Sequence, residues 1–252
     1  MILTRFARSR IFKPDSIPAR PAVLAGVQFS VARVRTEDGL LLDGLVSDLR
    51  LASRATLLFL HGNGGCAANR APLIAPLAEQ GYLVVVADYR GYGANPGVPE
   101  KVGLHLDAAA WLTHALAAAH GPLLVLGHSL GGAVAIELLA DRPRGVAGLL
   151  TLGSFAALEM VLPAALARLT VDNIDARSAA AKLQLPWLIV HQKNDEVVPV
   201  RHSRELFRRA SGNPAARFVE LTGGTHALEW QLLVPLLEQL RIGSVNGPPK
   251  LS

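Results

Sequence analysis

The chain has 252 residues, half of them hydrophobic and 18% charged, enough apolar material for the core of one large α/β domain. Lysine and arginine outnumber aspartate and glutamate by 25 to 20. The excess is thinly spread over Arg5–Lys13, Arg201–Arg209 and Arg241–Lys250, which argues against nucleic acid as a partner and leaves at most a weak peripheral attraction to anionic membranes.

The first thirteen residues carry basic groups without an apolar run, so they do not read as a signal peptide. One cysteine, Cys66, rules out a disulfide framework within the chain and fits a reducing compartment, so a cytoplasmic location is expected. Residues 1–21 are expected to be a frayed extension, 22–243 a single domain, and 244–252 a flexible tail around Asn246-Gly-Pro-Pro-Lys.

Val27–Thr36 alternates and ends at Asp38-Gly39, a hairpin signal leading into Leu40–Val46. Next comes a rhythm of short apolar runs and helical stretches. Leu57–Leu60 precedes a Gly-rich loop and a helix around Asn69–Gln80. Tyr82–Ala87 precedes a helix over Glu100–His120, and Pro122–Leu126 precedes one over Leu130–Asp141. Val146–Leu152, Pro186–His191 and Arg217–Leu221 complete the strands, with helices at Val200–Ala210 and Ala227–Leu240. Continuous apolar runs alternating with helices imply parallel strands covered on both faces. Ser154–Lys182 has no strand pattern and reads as a small helical insertion. Ala108–Ile136 contains no acidic or basic residue, but Gly121-Pro122 and Gly127-His128-Ser129 interrupt it, so it reads as buried helix, strand and helix rather than a membrane span.

Gly127-His128-Ser129-Leu130-Gly131-Gly132 lies between a buried strand and a helix, the context a G-x-S-x-G nucleophile requires. Ser129 must project from a sharp turn, and glycines two before and two after it keep side chains out of that turn. A serine hydroxyl needs a base oriented by an acid, in the chain order Ser, Asp, His. Among eight histidines, His226 stands in the loop Thr222-Gly-Gly-Thr-His226 after the last strand, with His202 the main competitor. The acid is read as Asp195, in the loop four residues past His191, with Glu196 as its rival. For the two oxyanion amides the choices are Leu130, which follows the nucleophile, and Asn63 in the loop after Leu57–Leu60, with Gly64 next. Gly62-x-Gly64-x-x-Ala67 with Asp88 formally matches a dinucleotide fingerprint. That reading leaves Ser129, Asp195 and His226 unexplained, and Cys66-Ala-Ala-Asn continues poorly into a helix packed against a pyrophosphate. No P-loop or zinc pattern is present, and the acyl-transfer chemistry requires neither metal nor cofactor.

His61-Gly-Asn-Gly-Gly, Asp88-Tyr-Arg-Gly-Tyr-Gly, Gly127-His-Ser-Leu-Gly-Gly, Asp195-Glu-Val-Val-Pro and Gly224-Thr-His226 together resemble α/β-hydrolase-fold serine hydrolases. More narrowly they resemble the small-lid subgroup that includes bacterial esterase-like proteins and relatives of eukaryotic protein depalmitoylases. The resemblance runs from about Arg10 to Leu240. It implies a mostly parallel eight-stranded sheet flanked by helices, with Ser129 as nucleophile, Asp195 as acid and His226 as base. Relatives often carry His-Gly where this chain has His191-Gln192. The expected activity is hydrolysis of carboxylic esters or thioesters of a small-molecule or acyl-group substrate. Peptidase, lyase or peroxidase chemistry on the same residues, or a non-catalytic interaction protein, stay open. Phe155, Met160, Leu162 and Leu166 in the insertion could line an apolar acyl pocket, though core packing is the plainer reading.

Overall fold

A computed structural model describes residues 11–48, 54–141, 144–162, 173–222, 225–226 and 230–241. A short strand β1 (Lys13–Pro14) and an edge strand β2 (Ala22–Leu24) precede the hairpin β3 (Val27–Arg35) and β4 (Leu41–Ser47). Then follow β5 (Ala55–Leu60), the short β6 (Gly64–Gly65), helices α1 (Ala67–Ile74) and α2 (Pro76–Glu79), and β7 (Tyr82–Val86). The second half runs α3 (Lys101–Ala117), β8 (Leu123–His128), α4 (Leu130–Leu139), β9 (Val146–Leu152), α5 (Arg177–Ala180), β10 (Trp187–Gln192), α6 (Arg201–Arg209), β11 (Ala216–Leu221) and α7 (Trp230–Arg241).

One nine-stranded sheet runs in the order β11-β10-β9-β8-β5-β7-β4-β3-β2. From β11 to β7 every neighbouring pair is parallel, and from β7 to β2 every pair is antiparallel. Every residue of β5, β7, β8 and β10 is buried, as a sheet covered by helices on both faces demands. Alternate residues divide between two cores because strand side chains point to opposite faces. Leu58, Val85, Val125 and Ile189 join Trp111 of α3 and Ile136 of α4 on one face. Leu57, Val84, Leu126 and Val190 join Ile74 of α1 and Leu236 of α7 on the other. The hairpin contributes to both cores in turn: Val27 and Phe29 of β3 enter the second and Ala32 and Val34 the first, with exposed residues between them.

Several expectations are corrected. The sheet has nine strands rather than eight because β2 adds an antiparallel edge, joined to β3 by Ala25-Gly26 with φ of 48° and 72°. Such a two-residue turn twists with the strands it joins, but Ala-Gly is a weaker signal for it than Asn-Gly. The helix expected around Asn69–Gln80 begins earlier, at Ala67, and is divided in two before Pro76, which has no N–H to donate. Cys66 is a working helix start, since its N–H donates to Asn69 Oδ1 at 2.9 Å. Residues 11–21 are not frayed throughout: Ile11 and Phe12 are buried, and β1 pairs in parallel with β6. In the insertion, the described residues form a bridge between Ala157 and Asp175, a 3-10 turn at Leu158–Met160, and the one-turn helix α5. Leu166 and the tail from residue 242 lie outside the described residues. No helix among the described residues is long and apolar enough to cross a membrane; the uncharged run is divided among α3, β8 and α4.

Candidate active site

The parallel strands all end at one edge of the sheet, and the loops leaving β5, β8, β10 and β11 carry Asn63, Ser129, Asp195 and His226. Ser129 is the single residue between β8 and α4, with φ 53° and ψ −114°. That conformation is disfavoured for a residue with a Cβ and costs on the order of 1–3 kcal/mol. Its surroundings hold it there. The Ser129 N–H donates to the Leu152 carbonyl at 2.9 Å, and its own carbonyl accepts from Gly132 and Ala133. A methyl on Gly127 would lie 2.5 Å from Gly132 Cα, and one on Gly131 would lie 2.0 Å from the Leu60 carbonyl oxygen. Helix α4 therefore seats directly on β5 and β8 only because these positions lack side chains.

Asp195 is buried and fully engaged. Its Oδ1 accepts from the amides of Val197 (2.9 Å) and Val198 (2.7 Å), and its Oδ2 accepts from His226 Nδ1 at 2.7 Å. Behind it, His191 Nε2 lies 3.3 Å from Asp195 Oδ2 and 2.7 Å from the Val198 carbonyl. Two acceptors facing Nε2 require that it carry the hydrogen, so His191 Nδ1 accepts from the Ser203 hydroxyl at 2.7 Å. Burial by itself would raise the Asp195 pKa; hydrogen bonds from His191, His226 and the Val198 amide outweigh it and hold the carboxyl well below the usual carboxylate range. Glu196, the rival acid, is exposed. His202, the rival base, is buried with Nδ1 accepting a long 3.4 Å bond from the Ala156 amide. Burial, with the charge of Arg201 adding to it, lowers its pKa to about 4.

Because Nδ1 of His226 donates to a carboxylate, its Nε2 is left as the nitrogen with a free lone pair. His128 braces this loop: its Nε2 donates to the His226 carbonyl at 3.0 Å, and the two rings lie 5.0 Å apart. Burial, with the neighbouring His226 adding to it, lowers the His128 pKa to about 3, so its imidazole is neutral in this role. A methyl on Gly153 would lie 3.2 Å from His226 Nδ1 and 3.3 Å from Asp195 Oδ2, so the end of β9 leaves room for the pair.

Asn63 is fixed from two sides. Its Nδ2 donates to the Ile11 carbonyl at 2.6 Å, its Oδ1 accepts from the Lys13 amide at 3.3 Å, and its carbonyl accepts from the Tyr92 hydroxyl at 3.0 Å. Below it, His61 Nε2 meets Asp88 Oδ1 at 2.9 Å, and Asp88 Oδ2 accepts from the Ala67 amide at 3.0 Å. Asp88 is thus buried and occupied rather than offered to a ribose. Asn63, Ser129 and Leu130 line one cavity of about 160 Å³. Among the described residues, no group of three or more His, Cys, Asp or Glu is placed to hold a metal.

Ser129 and Leu130, Asn63, and the His226–Asp195 pair are therefore brought to one edge of the sheet, while Glu196 faces solvent and His202 is turned to Ala156. The sequence did not reveal His191 as a second partner of Asp195, His128 as a brace, or residues 11–13 as neighbours of Asn63. The only trace of the last is the apolar pair Ile11-Phe12 inside a basic segment.

Residues 52–176 match a family model described as serine aminopeptidase, S33. An uncharacterised protein of Mycobacterium tuberculosis is 32% identical over 232 residues, covering 87% of this chain and 80% of that one. The α/β hydrolase domain-containing protein WAV2 of Arabidopsis thaliana is 30% identical over 198 residues, covering 69% of this chain and 64% of its own. Among solved structures, an esterase of Pyrococcus furiosus superposes with a TM-score of 0.71 at 19% identity, covering 93% of this chain and 96% of that one. An esterase domain from Rhodothermus marinus does so with a TM-score of 0.66 at 21% identity, covering 85% and 98%.

Proposed function

Since the chain belongs to the α/β-hydrolase family, we propose that it is a serine hydrolase that cleaves carboxylic esters or thioesters through an acyl-enzyme. The observation that carries this reading is the 2.7 Å His226–Asp195 bond, braced by His128, which immediately precedes the strained Ser129. Ser129 Oγ bonds to the substrate carbonyl carbon while its proton passes to His226 Nε2. The carbonyl π electrons move to oxygen, and the amides of Leu130 and Asn63 hold the resulting anion. When the tetrahedral adduct collapses, the carbon–oxygen or carbon–sulfur bond breaks, and the leaving group takes the proton from His226. Water then attacks the acyl-serine, giving one proton to His226, which returns it to Ser129 as the acid product leaves. Asp195 keeps His226 in the tautomer with Nδ1 protonated and steadies the imidazolium formed in each half.

The family model's description favours one second reading, release of an N-terminal amino acid from a peptide. The same groups serve it, with His226 protonating an amine instead of an alcohol or thiol. One experiment tests both. Ser129 should react with a fluorophosphonate probe, and 4-nitrophenyl esters and thioesters should be turned over faster than aminoacyl 4-nitroanilides. His226→Ala should lower kcat by roughly a thousandfold or more, whereas folded His202→Ala should lose less than about tenfold. Labelling that persists in Ser129→Ala refutes the nucleophile, and faster anilide turnover transfers the assignment to the peptidase.

A further inference from the structure

Resting on the serine-hydrolase reading, we infer that residues 11–17 are a strap closing the acyl side of the site. Ile11 and Phe12 on it limit the acyl group to an uncharged chain of about six carbons.

The strap is built in, not draped. Lys13 and Pro14 pair with Gly64 and Gly65. The Asp15 amide donates to the Gly65 carbonyl at 3.0 Å, and the Asp15 carbonyl accepts from the Gly93 amide at 2.8 Å. Asn69 Nδ2 donates to Asp15 Oδ2, and Cys66 Sγ donates to the Ile17 carbonyl at 3.4 Å. With the Asn63 Nδ2 bond to Ile11, these contacts tie the strap to the loop that leaves β5. Ile11 and Phe12 are each 3% exposed. They form one wall of the cavity that reaches Ser129, and Phe155, Leu158, Val161 and Leu162 of the insertion form another.

Chemistry and size identify the occupant. Among the described residues, the lining apart from Asn63 and Ser129 is apolar, and none of its side chains is charged. A carboxylate or ammonium on the acyl chain would lose its hydration with no partner in return. The cavity holds about 160 Å³, close to the roughly 150 Å³ apolar cavity that takes up benzene. An acyl group of about that carbon count fills it, and a chain two to three times longer extends past the described walls. Ser129 lines the cavity together with Leu130 and Asn63, so its occupant is assigned to the acyl part of the substrate rather than to a separate ligand.

The test is kcat/KM on 4-nitrophenyl esters from acetyl to palmitoyl. In parallel, Ser129 inactivation rates are measured with 4-nitrophenyl alkylphosphonates of the same chain lengths, which need no turnover. Both should rise roughly fourfold per methylene up to about hexanoyl, then fall by decanoyl. Phe12→Ala should move the optimum to longer chains and Val161→Phe to shorter ones. The opposite directions guard against a simple folding defect in either variant. A wild-type optimum at dodecanoyl or beyond, or an optimum that moves in neither variant, overturns the inference. Ester hydrolysis that survives Ser129→Ala instead brings down the serine-hydrolase reading, a result distinct from a misplaced optimum.

Discussion

His191 shares its Nε2–H between the Val198 carbonyl and Asp195 Oδ2, with Ser203 holding the far side of the ring. Under the proposed mechanism it acts only through Asp195, so it is a positioning residue. A hydrogen bond to a charged group is worth about 1.5–3 kcal/mol, so His191→Leu should reduce kcat by roughly tenfold to a hundredfold with little change in KM. With one donor gone, the Asp195 carboxylate is held less firmly toward His226, which affects kcat and not substrate binding. His191→Gln retains a donor and should recover part of the loss. Equal losses in both variants, or a loss shared between kcat and KM, would reduce the ring to a packing role.

The α4 start shows how an element and a site constrain each other. The helix begins one residue after Ser129 because Gly127, Gly131 and Gly132 let its first turn lie against β5 and β8. In Gly131→Ala the added methyl meets the Leu60 carbonyl, a backbone atom that moves only with β5. The expected cost is about 3 kcal/mol or more, read as a lower urea midpoint, together with loss of fluorophosphonate labelling at Ser129. A Gly131→Ala protein with wild-type midpoint and labelling would show that the elbow relaxes elsewhere. Strand identity was legible in the sequence because β5, β7, β8 and β10 each contain an unbroken apolar run, Leu57–Leu60, Tyr82–Val86, Leu123–Leu126 and Trp187–Val190. The ends of helices were not, since Pro76 divides one amphipathic stretch into α1 and α2, and β2 carries no alternation long enough to read.

Across the whole molecule, buried polar groups knit distant segments together. Arg90 binds Asp107 of α3 and Asp38 of the hairpin turn at once, through contacts of 2.8–3.2 Å. Tyr82 at the start of β7 donates to Glu238 of α7 at 2.6 Å. His128 and His202 are buried with pKa values lowered to about 3 and about 4, against about 6.5 in the unfolded chain. The native state therefore binds fewer protons between those limits. Their contribution to stability is complete above pH 6.5 and declines as the pH falls toward 4 and then 3, by about 1.4 kcal/mol per unit for each ring. Urea midpoints should drop between pH 7 and pH 5, and His202→Asn should show a shallower drop. A midpoint identical at both pH values would contradict the buried, neutral state of these rings.

The sequence by itself determined the parallel strands and the turn that carries Ser129, because strand burial and glycine spacing are local properties. It could narrow the candidates only by position for Asn63, His226 and Asp195. Tertiary structure alone decided that Asp195 faces His226 as well as His191, that His202 turns to the Ala156 amide, and that Ile11 and Phe12 close over the cavity beside Ser129. Each of these contacts joins residues far apart in the chain or on separate elements, and no local pattern encodes a partner that only the folding of the sheet brings within reach.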